Sequence, residues 1–160
     1  MKTDYIIRRA DKEDLSTLVE LNSDLADFHH QLEPRCCSGQ ELQVGFKENF
    51  IKNINNPDFY WQVIVYKNSV IGYVLVKIDK GSANIKPTQI GVVSGAILKP
   101  EHQNQGLMKK AINQALIWLK KQNIEIVELN VLSNNQAAIT VWQKLGFVEY
   151  KKRMYQRLEK

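Results

Sequence analysis

One junction constrains the fold of this chain more than any other feature: a short polar loop with a single glycine joins an apolar run to a helix-like segment. The apolar run covers residues 92–98, the loop covers residues 100–106, and the helical pattern covers residues 107–122. The first amide N–H groups of a helix have no partner inside the helix, and the helix dipole adds partial positive charge there. This order of segments predicts a strand, a turn and a helix whose start binds phosphate or pyrophosphate.

Three residues of the junction fit that interpretation. Gly106 has no Cβ, so the main chain could come close to a ligand. Lys109 and Lys110 follow at once and would hold further phosphate charge. The alternative is an ordinary loop that caps an ordinary helix, because a single glycine is a weak signal on its own.

A second motif follows another apolar run, residues 124–132, and the two motifs together resemble motifs A and B of the GCN5-related N-acetyltransferase (GNAT) superfamily. Motif A of that family reads Gln/Arg-x-x-Gly-x-Gly/Ala, and its fixed places are held here by Gln103, Gly106 and Met108. Motif B reads Asn-x-x-Ala, three residues, and then Tyr-x-Lys-x-Gly-Phe. Its places are held by Asn135, Ala138, Trp142, Lys144, Gly146 and Phe147.

The resemblance implies an α/β fold in which residues 1–160 form one domain. A mixed, mostly antiparallel sheet would be splayed between two parallel central strands, with helices on both faces. Acetyl-CoA would be the co-substrate, without a metal. Its pantetheine arm would pair with the main chain in the split, and its pyrophosphate would lie on the junction loop. The cofactor-binding residues predicted in this way are Ile97, Leu98, Gln103, Asn104, Gln105, Gly106, Leu107, Met108, Lys109, Asn135, Trp142 and Lys144. Two of them have alternatives, since Asn135 could be a helix N-cap and Lys144 a solvated lysine.

The catalytic residues depart from the family pattern. A tyrosine of motif B commonly protonates the leaving thiolate in this family, but Trp142 stands at that place, and an indole N–H is not a usable acid. Tyr150, Tyr155 or a water would then supply the proton, or the thiolate would leave unaided. In some family members a glutamate at the place of Asn130 acts as the general base. Glu128, on the same strand face, is the predicted substitute for that base. The candidate catalytic residues are therefore Glu128 and Tyr150.

The end of the first predicted helix is the candidate acceptor region, because the corresponding segment of family members lines the site that binds the acceptor amine. His29 and His30 would act there as a base or as substrate contacts. The alternative is a pair of solvated histidines at a helix end. The neighbouring Asp24, Asp27 and Glu33 make the segment acidic, which would suit a cationic amine.

Hydrophobic periodicity predicts the order of the elements. Strands are expected at residues 5–9, 59–66, 70–78, 89–98 and 124–132, and one or two closing strands at residues 147–158. Helices are expected at residues 12–28, around 40–53, at 106–123 and at 135–145. Gly146 is expected to end the last helix as a C-cap glycine.

Composition narrows the possible partners. The net charge of +5 calls for an anionic partner or for none. Nucleic acid is disfavoured, because basic residues do not alternate with aromatic residues on one recognisable element. No apolar run is long enough to span a bilayer, and residues 1–5 carry no signal-peptide pattern, so we expect a cytoplasmic protein away from membranes. Adjacent Cys36 and Cys37 indicate free thiols.

These observations combine into one prediction of function and one alternative. The prediction is an acetyl-CoA-dependent N-acetyltransferase that transfers the acetyl group by direct attack to a primary amine of a small molecule or peptide. The alternative is an acyl-CoA-binding regulatory protein of the same fold with little turnover, because the usual general acid is missing. Edge strands near the C-terminus would also allow a homodimer.

Overall fold

Five strands form one mixed sheet in the computed structural model, which describes residues 4–158. Their order in the sheet follows the sequence, β1 to β5. The first four are antiparallel to their neighbours, and β5 runs parallel to β4. The strands are β1 (Tyr5–Arg9), β2 (Phe59–Tyr66), β3 (Ser69–Lys80), β4 (Gln89–Leu98) and β5 (Val127–Leu129). The helices are α1 (Leu15–Leu32), α2 (Gly39–Asn53), α3 (Leu107–Lys121) and α4 (Gln136–Lys144).

Helices cover both faces of the sheet, as predicted. On one face, α1 and α2 pack Leu18, Leu21 and Phe50 against the sheet. On the other face, α3 contributes its buried alanines and leucines to a second core, and α4 packs at the border of that core. Strand β3 is buried along most of its length, because alternate side chains enter the two cores. This explains why its sequence is continuously apolar rather than alternating.

A partly buried ion pair joins β1 to the start of α1. Arg8 donates to both carboxylate oxygens of Asp14, at 2.7 and 2.9 Å, and the Asp11 amide donates to the same carboxylate. Asp11 in turn caps the short 3-10 turn at Lys12–Asp14. Helix α1 continues to Leu32 rather than stopping at residue 28, where the sequence predicted its end.

The C-terminal part of the sheet differs from the prediction. Strand β5 has three residues instead of nine, and the closing strands predicted at residues 147–158 are not formed, so that prediction was wrong. No main-chain hydrogen bond reaches residues 148–158 within the described part of the chain. An alternating pattern is compatible with a strand, but a strand forms only where another strand edge pairs with it. As a result β5 lies at the edge of the described sheet and not in its centre.

Several local predictions are confirmed. Gly146 has a φ of 92° and ends α4, with its own amide bonded to Gln143 and the Phe147 amide bonded to Trp142. Both cysteines are free thiols. No helix between residues 4 and 158 has the length and apolar character that a bilayer crossing needs.

Candidate functional site

The loop between β4 and α3 is tied to the end of its strand. The Gln103 side chain donates through Nε2 to the Leu98 carbonyl oxygen at 2.9 Å. Asn104 and Gly106 both adopt the left-handed conformation, with φ of 60° and 73°. Within residues 4–158, the amides of residues 104–106 have no main-chain acceptor. The loop therefore has several amide donors available to a ligand.

Helix α3 starts without a side-chain cap. Gly106 is its N-cap residue, and no side chain accepts from the amides of the first turn. A Cβ added to Gly106 would meet no atom within 4 Å, so the space above this residue is open. Its positive φ also favours glycine over any other residue. The predicted anion-binding geometry is present, and binding to it remains a prediction.

Positive charge surrounds this loop. Lys109 and Lys110 are exposed on the first turn of α3, and neither forms an ion pair within the described residues. Lys110 also lines a small pocket of about 100 Å³ that opens toward β1, beside Tyr5 and Gln105. Lys144 is exposed in the last turn of α4. Free cations close to unpaired amides are what a phosphate site requires.

Strands β4 and β5 separate after three pairs of residues. Gly91, Val92 and Val93 pair with Val127–Leu129, and the rest of β4 has no partner on this side. We call this gap the split. It begins at Ser94, an exposed residue that the register between β3 and β4 skips, which marks a β-bulge. The expected splay between two parallel strands is therefore present.

Main-chain groups of β4 alternate between β3 and the split. The Lys99 amide donates to the Ile71 carbonyl at 2.9 Å, so the odd-numbered Ile97 also turns its main chain toward β3. Ala96 and Leu98 turn theirs into the split. The Leu98 carbonyl already accepts from Gln103, which leaves the Leu98 amide free for a ligand. Sequence analysis missed Ala96, because the direction of a main-chain group depends on the strand register.

Three predicted cofactor residues have side chains that belong to the core. Leu98 and Leu107 are buried in the core beneath α3, and Met108 packs against the same core. Leu98 and Leu107 can therefore contact a ligand only through their main chain. The exposed Gln103, Asn104 and Gln105 keep their side chains near the loop surface, as expected.

Helix α4 packs at the border of the core beneath α3. Asn135 is buried, and its Oδ1 accepts from the Ala138 amide at 3.2 Å, so it acts as the N-cap of α4. Trp142 is half-buried and packs edge-on against Phe147, with ring centroids 5.4 Å apart. The cap role considered for Asn135 is confirmed. Contact of Asn135, Trp142 and Lys144 with a cofactor stays a prediction.

Glu128 and Tyr150, which sequence reasoning named as catalytic candidates, lie together. Hydrogen bonding to the Glu128 carboxylate raises the pKa of the Tyr150 phenol above its ordinary value. The carboxylate stabilises the protonated phenol and opposes a second negative charge beside it. Tyr150 therefore keeps its proton at neutral pH and is a weaker acid than an isolated tyrosine.

The alternation of β5 places this pair on one face of the sheet. Val127 and Leu129 pack into the core on the α3 face. Glu128 lies between them on the strand and so points to the opposite face, where α1 and α2 lie. The predicted cofactor-binding groups therefore lie on the α3 face of the split, and Glu128 and Tyr150 lie on the α1 and α2 face.

The two histidines at the end of α1 have different environments. Nδ1 of His30 lies 2.6 Å from the Cys36 carbonyl oxygen, so it carries a proton and donates it. This bond closes the connection between α1 and α2, which gives His30 a structural role. Burial lowers the pKa of His29, so its ring is neutral at neutral pH and able to accept a proton.

The acidic residues near α1 are mostly engaged by the protein. The Asp27 carboxylate accepts from the Gly39 amide at 2.6 Å. Glu33 pairs with Arg35, whose hydrogen bond lowers the pKa of Glu33 to about 2. Of the three acidic residues that the sequence singled out here, Asp24 alone is exposed without a hydrogen-bond or ion-pair partner in residues 4–158. The acidic composition of this segment therefore says less about a cationic substrate than the sequence suggested.

Two contacts that sequence analysis did not predict join the loops around the split. Asn134 donates through Nδ2 to the Leu32 carbonyl at 2.7 Å, which ties the start of α4 to the end of α1. The Arg35 guanidinium lies 3.3 Å from the centroid of the Tyr155 ring. Both contacts join residues that are about a hundred positions apart, and no local pattern carries such information.

Known proteins resemble this chain over most of its length. The model of a family described as Acetyltransferase (GNAT) family matches residues 17–147. An N-alpha-acetyltransferase of Saccharolobus solfataricus is 25% identical over 154 residues, which is 92% of this chain and 83% of the relative.

Solved structures share the fold at low sequence identity. A predicted acetyltransferase from Clostridium acetobutylicum, with acetyl-CoA, matches with a TM-score of 0.77 at 16% identity, covering 96% of each chain. AAC(6')-Iy in complex with a bisubstrate analog containing CoA matches with a TM-score of 0.72 at 17% identity, covering 97% of this chain and 98% of that one.

Proposed function

This chain belongs to the GNAT family of acetyltransferases, and we propose that it transfers the acetyl group of acetyl-CoA directly to a primary amine of a small molecule or a peptide. The split between β4 and β5 carries the proposal, because it opens toward both faces of the sheet. A cofactor can enter from the α3 and α4 face, while an amine approaches from the α1 and α2 face. Both substrates can then meet in one complex, as direct attack requires.

The cofactor side of the proposal uses the groups around the loop. The pyrophosphate would accept hydrogen bonds from the amides of residues 104–107, with Lys109 and Lys110 adding positive charge. The pantetheine arm would pair with the main chain of Ala96 and Leu98, like an added strand. Asn135 would approach from the start of α4 while it caps that helix.

The chemical step forms one bond and breaks one bond. The amine nitrogen attacks the thioester carbonyl carbon, the C–N bond forms, the C–S bond breaks, and CoA leaves as a thiolate. A main-chain amide of β4 that faces the split would stabilise the negative charge that develops on the carbonyl oxygen. The nitrogen then loses a proton, and the thiolate gains one.

We propose that Glu128 is the base that accepts the proton from the attacking nitrogen. Its carboxylate lies on the acceptor face at the start of the split, and the attacking nitrogen becomes strongly acidic once the C–N bond forms. The neutral His29 is the other candidate base. Tyr150 would hold Glu128 in position. It would be a poor donor of a proton to the thiolate. A thiol has a pKa of about 8.5, well below that of this phenol.

The regulatory alternative keeps some support from two observations. Trp142 occupies the place of the usual acid and packs against Phe147. Tyr150 is a weakened acid because of Glu128. A protein with this site would bind acetyl-CoA and turn it over slowly.

Two measurements on the full chain separate these functions. Calorimetric titration with acetyl-CoA tests the cofactor site. Release of free CoA thiol is then followed with a panel that contains polyamines, an aminoglycoside and peptides with free N-termini. Turnover with one class of amine supports the transferase and names its substrate class. Binding without turnover supports the regulatory protein, and absence of binding overturns both.

A further inference from the structure

A tyrosine ring lies against Gly95, the first residue of β4 beyond the bulge. A Cβ added to Gly95 would lie 2.9 Å from both the hydroxyl oxygen and Cε2 of Tyr73. Tyr73 stands on β3 two residues before Leu75, the register partner of Gly95, so its ring reaches diagonally from β3 to β4 on the α1 and α2 face. A side chain at Gly95 would have to displace this ring. The start of the split therefore packs directly on Tyr73.

Helix α1 holds the other end of the same ring. The Tyr73 hydroxyl donates to Oδ1 of Asn22 at 2.9 Å, and the tyrosine is only 1% exposed. Burial raises the pKa of the Tyr73 phenol, so this residue keeps its proton and would not protonate the thiolate. Its position therefore gives it a structural link to the site: one buried ring contacts β4 at the start of the split and bonds to α1.

A second hydrogen bond holds the C-terminal end of α1. Asn134 donates to the Leu32 carbonyl oxygen at 2.7 Å, and Asn134 belongs to the loop that follows β5. Strands β4 and β5 are the two sides of the split. Helix α1 is therefore tied to β4 through Asn22 and Tyr73. About 15 Å further along its axis, it is tied to the chain that leaves β5.

The part of α1 between the two ties carries His29. Asn22, Ala26 and His29 are spaced four and three residues apart, so they lie along one side of the helix. Ala26 is buried and His29 is half-buried, so this side faces the protein. Because the helix moves as a unit over two turns, a shift at Asn22 would carry His29 with it.

We propose that Tyr73 and Asn134 are positioning residues of the acceptor site. Together they hold residues 22–32 of α1 on the α1 and α2 face of the split, and so fix where His29 and the acceptor amine stand relative to the thioester. Both act through α1 and not by contact with the reacting atoms. The inference rests on the proposed function, because it concerns the approach of the amine in that reaction.

The test uses the full chain and the best amine of the panel. Tyr73→Phe keeps the ring against Gly95 and removes the bond to Asn22, while Asn134→Ala removes the tie to the end of α1. Each variant should lower kcat/KM for the amine by about 10- to 100-fold, because small misplacements of reacting groups are costly. Kd for acetyl-CoA should stay constant, since the predicted cofactor-binding groups lie on the α3 face. The pH dependence of kcat should also stay constant, because neither side chain titrates in the assay range.

Two matched controls each remove one hydrogen bond elsewhere. Tyr60→Phe removes a bond from a buried glutamine on the α3 face, and Gln136→Ala removes a bond within the loop that contains Asn134. Both controls should keep the wild-type kcat/KM, although Tyr60→Phe should lower the melting temperature as Tyr73→Phe does. The double variant of Tyr73 and Asn134 should lose little more than either single variant, because release of one tie already frees this part of α1.

The possible failures can be told apart. Wild-type kcat/KM in either Tyr73→Phe or Asn134→Ala overturns this assignment and leaves the proposed function standing. The same holds if the controls share the loss, or if affinity for acetyl-CoA falls as much as kcat/KM, because either result would show a general loss of stability. A wild-type chain that turns over no amine overturns the proposed function and this assignment together.

Discussion

The Gln103 side chain holds the Leu98 carbonyl oxygen at 2.9 Å, and this bond joins the loop that carries the free amides to the strand that lines the split. One end of the bond lies in the predicted pyrophosphate site, and the other lies where the pantetheine arm would pair with β4. The Leu98 carbonyl is thereby occupied, while the Leu98 amide stays free on the side of the split. The loop and the strand end therefore form one unit, and distortion of the loop should reach the part of β4 that would bind the pantetheine arm.

Replacing Gly106 should weaken acetyl-CoA binding without unfolding the protein. Gly106→Val puts a β-branched residue at a φ of 73° and fills the open space above the loop. Loss of one charge-assisted hydrogen bond of about 1.5–3 kcal/mol predicts roughly a tenfold to two-hundredfold rise in Kd. Calorimetric titration measures this change.

Gly45→Ala is the control for that variant. Gly45 lies within α2, where an added Cβ meets nothing within 4 Å. Because alanine favours a helix, this variant should gain roughly 0.5–1 kcal/mol in stability and keep its affinity for acetyl-CoA. An unchanged affinity in a folded Gly106→Val protein would remove the loop from the cofactor site.

The two lysines at the start of α3 should act on the phosphates. Lys109→Glu combined with Lys110→Glu should weaken binding of CoA more than binding of a short pantetheine thioester that lacks the phosphates. Lys120→Glu with Lys121→Glu, at the other end of the same helix, changes the net charge by the same amount. It should have a smaller effect on CoA binding. Titrations of both ligands at two salt concentrations make the comparison. Equal losses for the two ligands would assign the lysines to the fold.

Glu128 should control both the Tyr150 phenol and turnover. Because hydrogen bonding to the Glu128 carboxylate raises the Tyr150 pKa, Glu128→Gln should bring that pKa back toward its ordinary value of about 10. Ultraviolet titration of phenolate, with Tyr150→Phe as the reference, reports this shift. If Glu128 is the base, kcat should also fall by about 10²–10⁴ while Kd for acetyl-CoA stays constant. A normal kcat in Glu128→Gln would transfer the role of base to His29 or to water.

Trp142 should contribute packing and not a proton. Trp142→Phe should preserve the pH dependence of kcat, because an indole N–H does not titrate in the range of the assay. Trp142→Tyr should raise kcat if a phenol in this place can protonate the thiolate. The measurement is kcat against pH for both variants with the amine found in the panel. A Trp142→Phe enzyme that binds acetyl-CoA normally but loses turnover by orders of magnitude would contradict this account.

Asp14 should make the stability of the fold depend on acidity. Burial raises the pKa of Asp14, but hydrogen bonds from Arg8 and the Asp11 amide outweigh it, so the pKa lies below its usual value. A lowered pKa in the folded state means that this stabilisation is complete above about pH 4 and is lost as the pH falls further. Asp14→Asn should cost about 1–3 kcal/mol near neutral pH. Urea denaturation at several pH values should show the two proteins converging in acid, and a constant difference would refute this role.

Local sequence patterns were sufficient to predict the elements that depend on neighbouring residues or that are buried on both faces. The apolar run of β3 and the glycine that ends α4 identify their elements from neighbouring residues alone. The junction at Gly106 could be predicted for the same reason, because free amides arise wherever a helix begins after a turn. The resemblance in motifs A and B supplied the splayed sheet.

Tertiary structure decided the features that depend on a partner distant in sequence. The closing strands predicted at residues 147–158 do not form, because pairing requires an available edge in the right register. The same reason explains why Ala96 and Leu98 face the split while Ile97 does not, and why Asn134 reaches Leu32. The sequence determined which residues could form strands, helices and an anion-binding turn. Only packing in three dimensions decided which main-chain groups stayed unpaired, and those groups make the site.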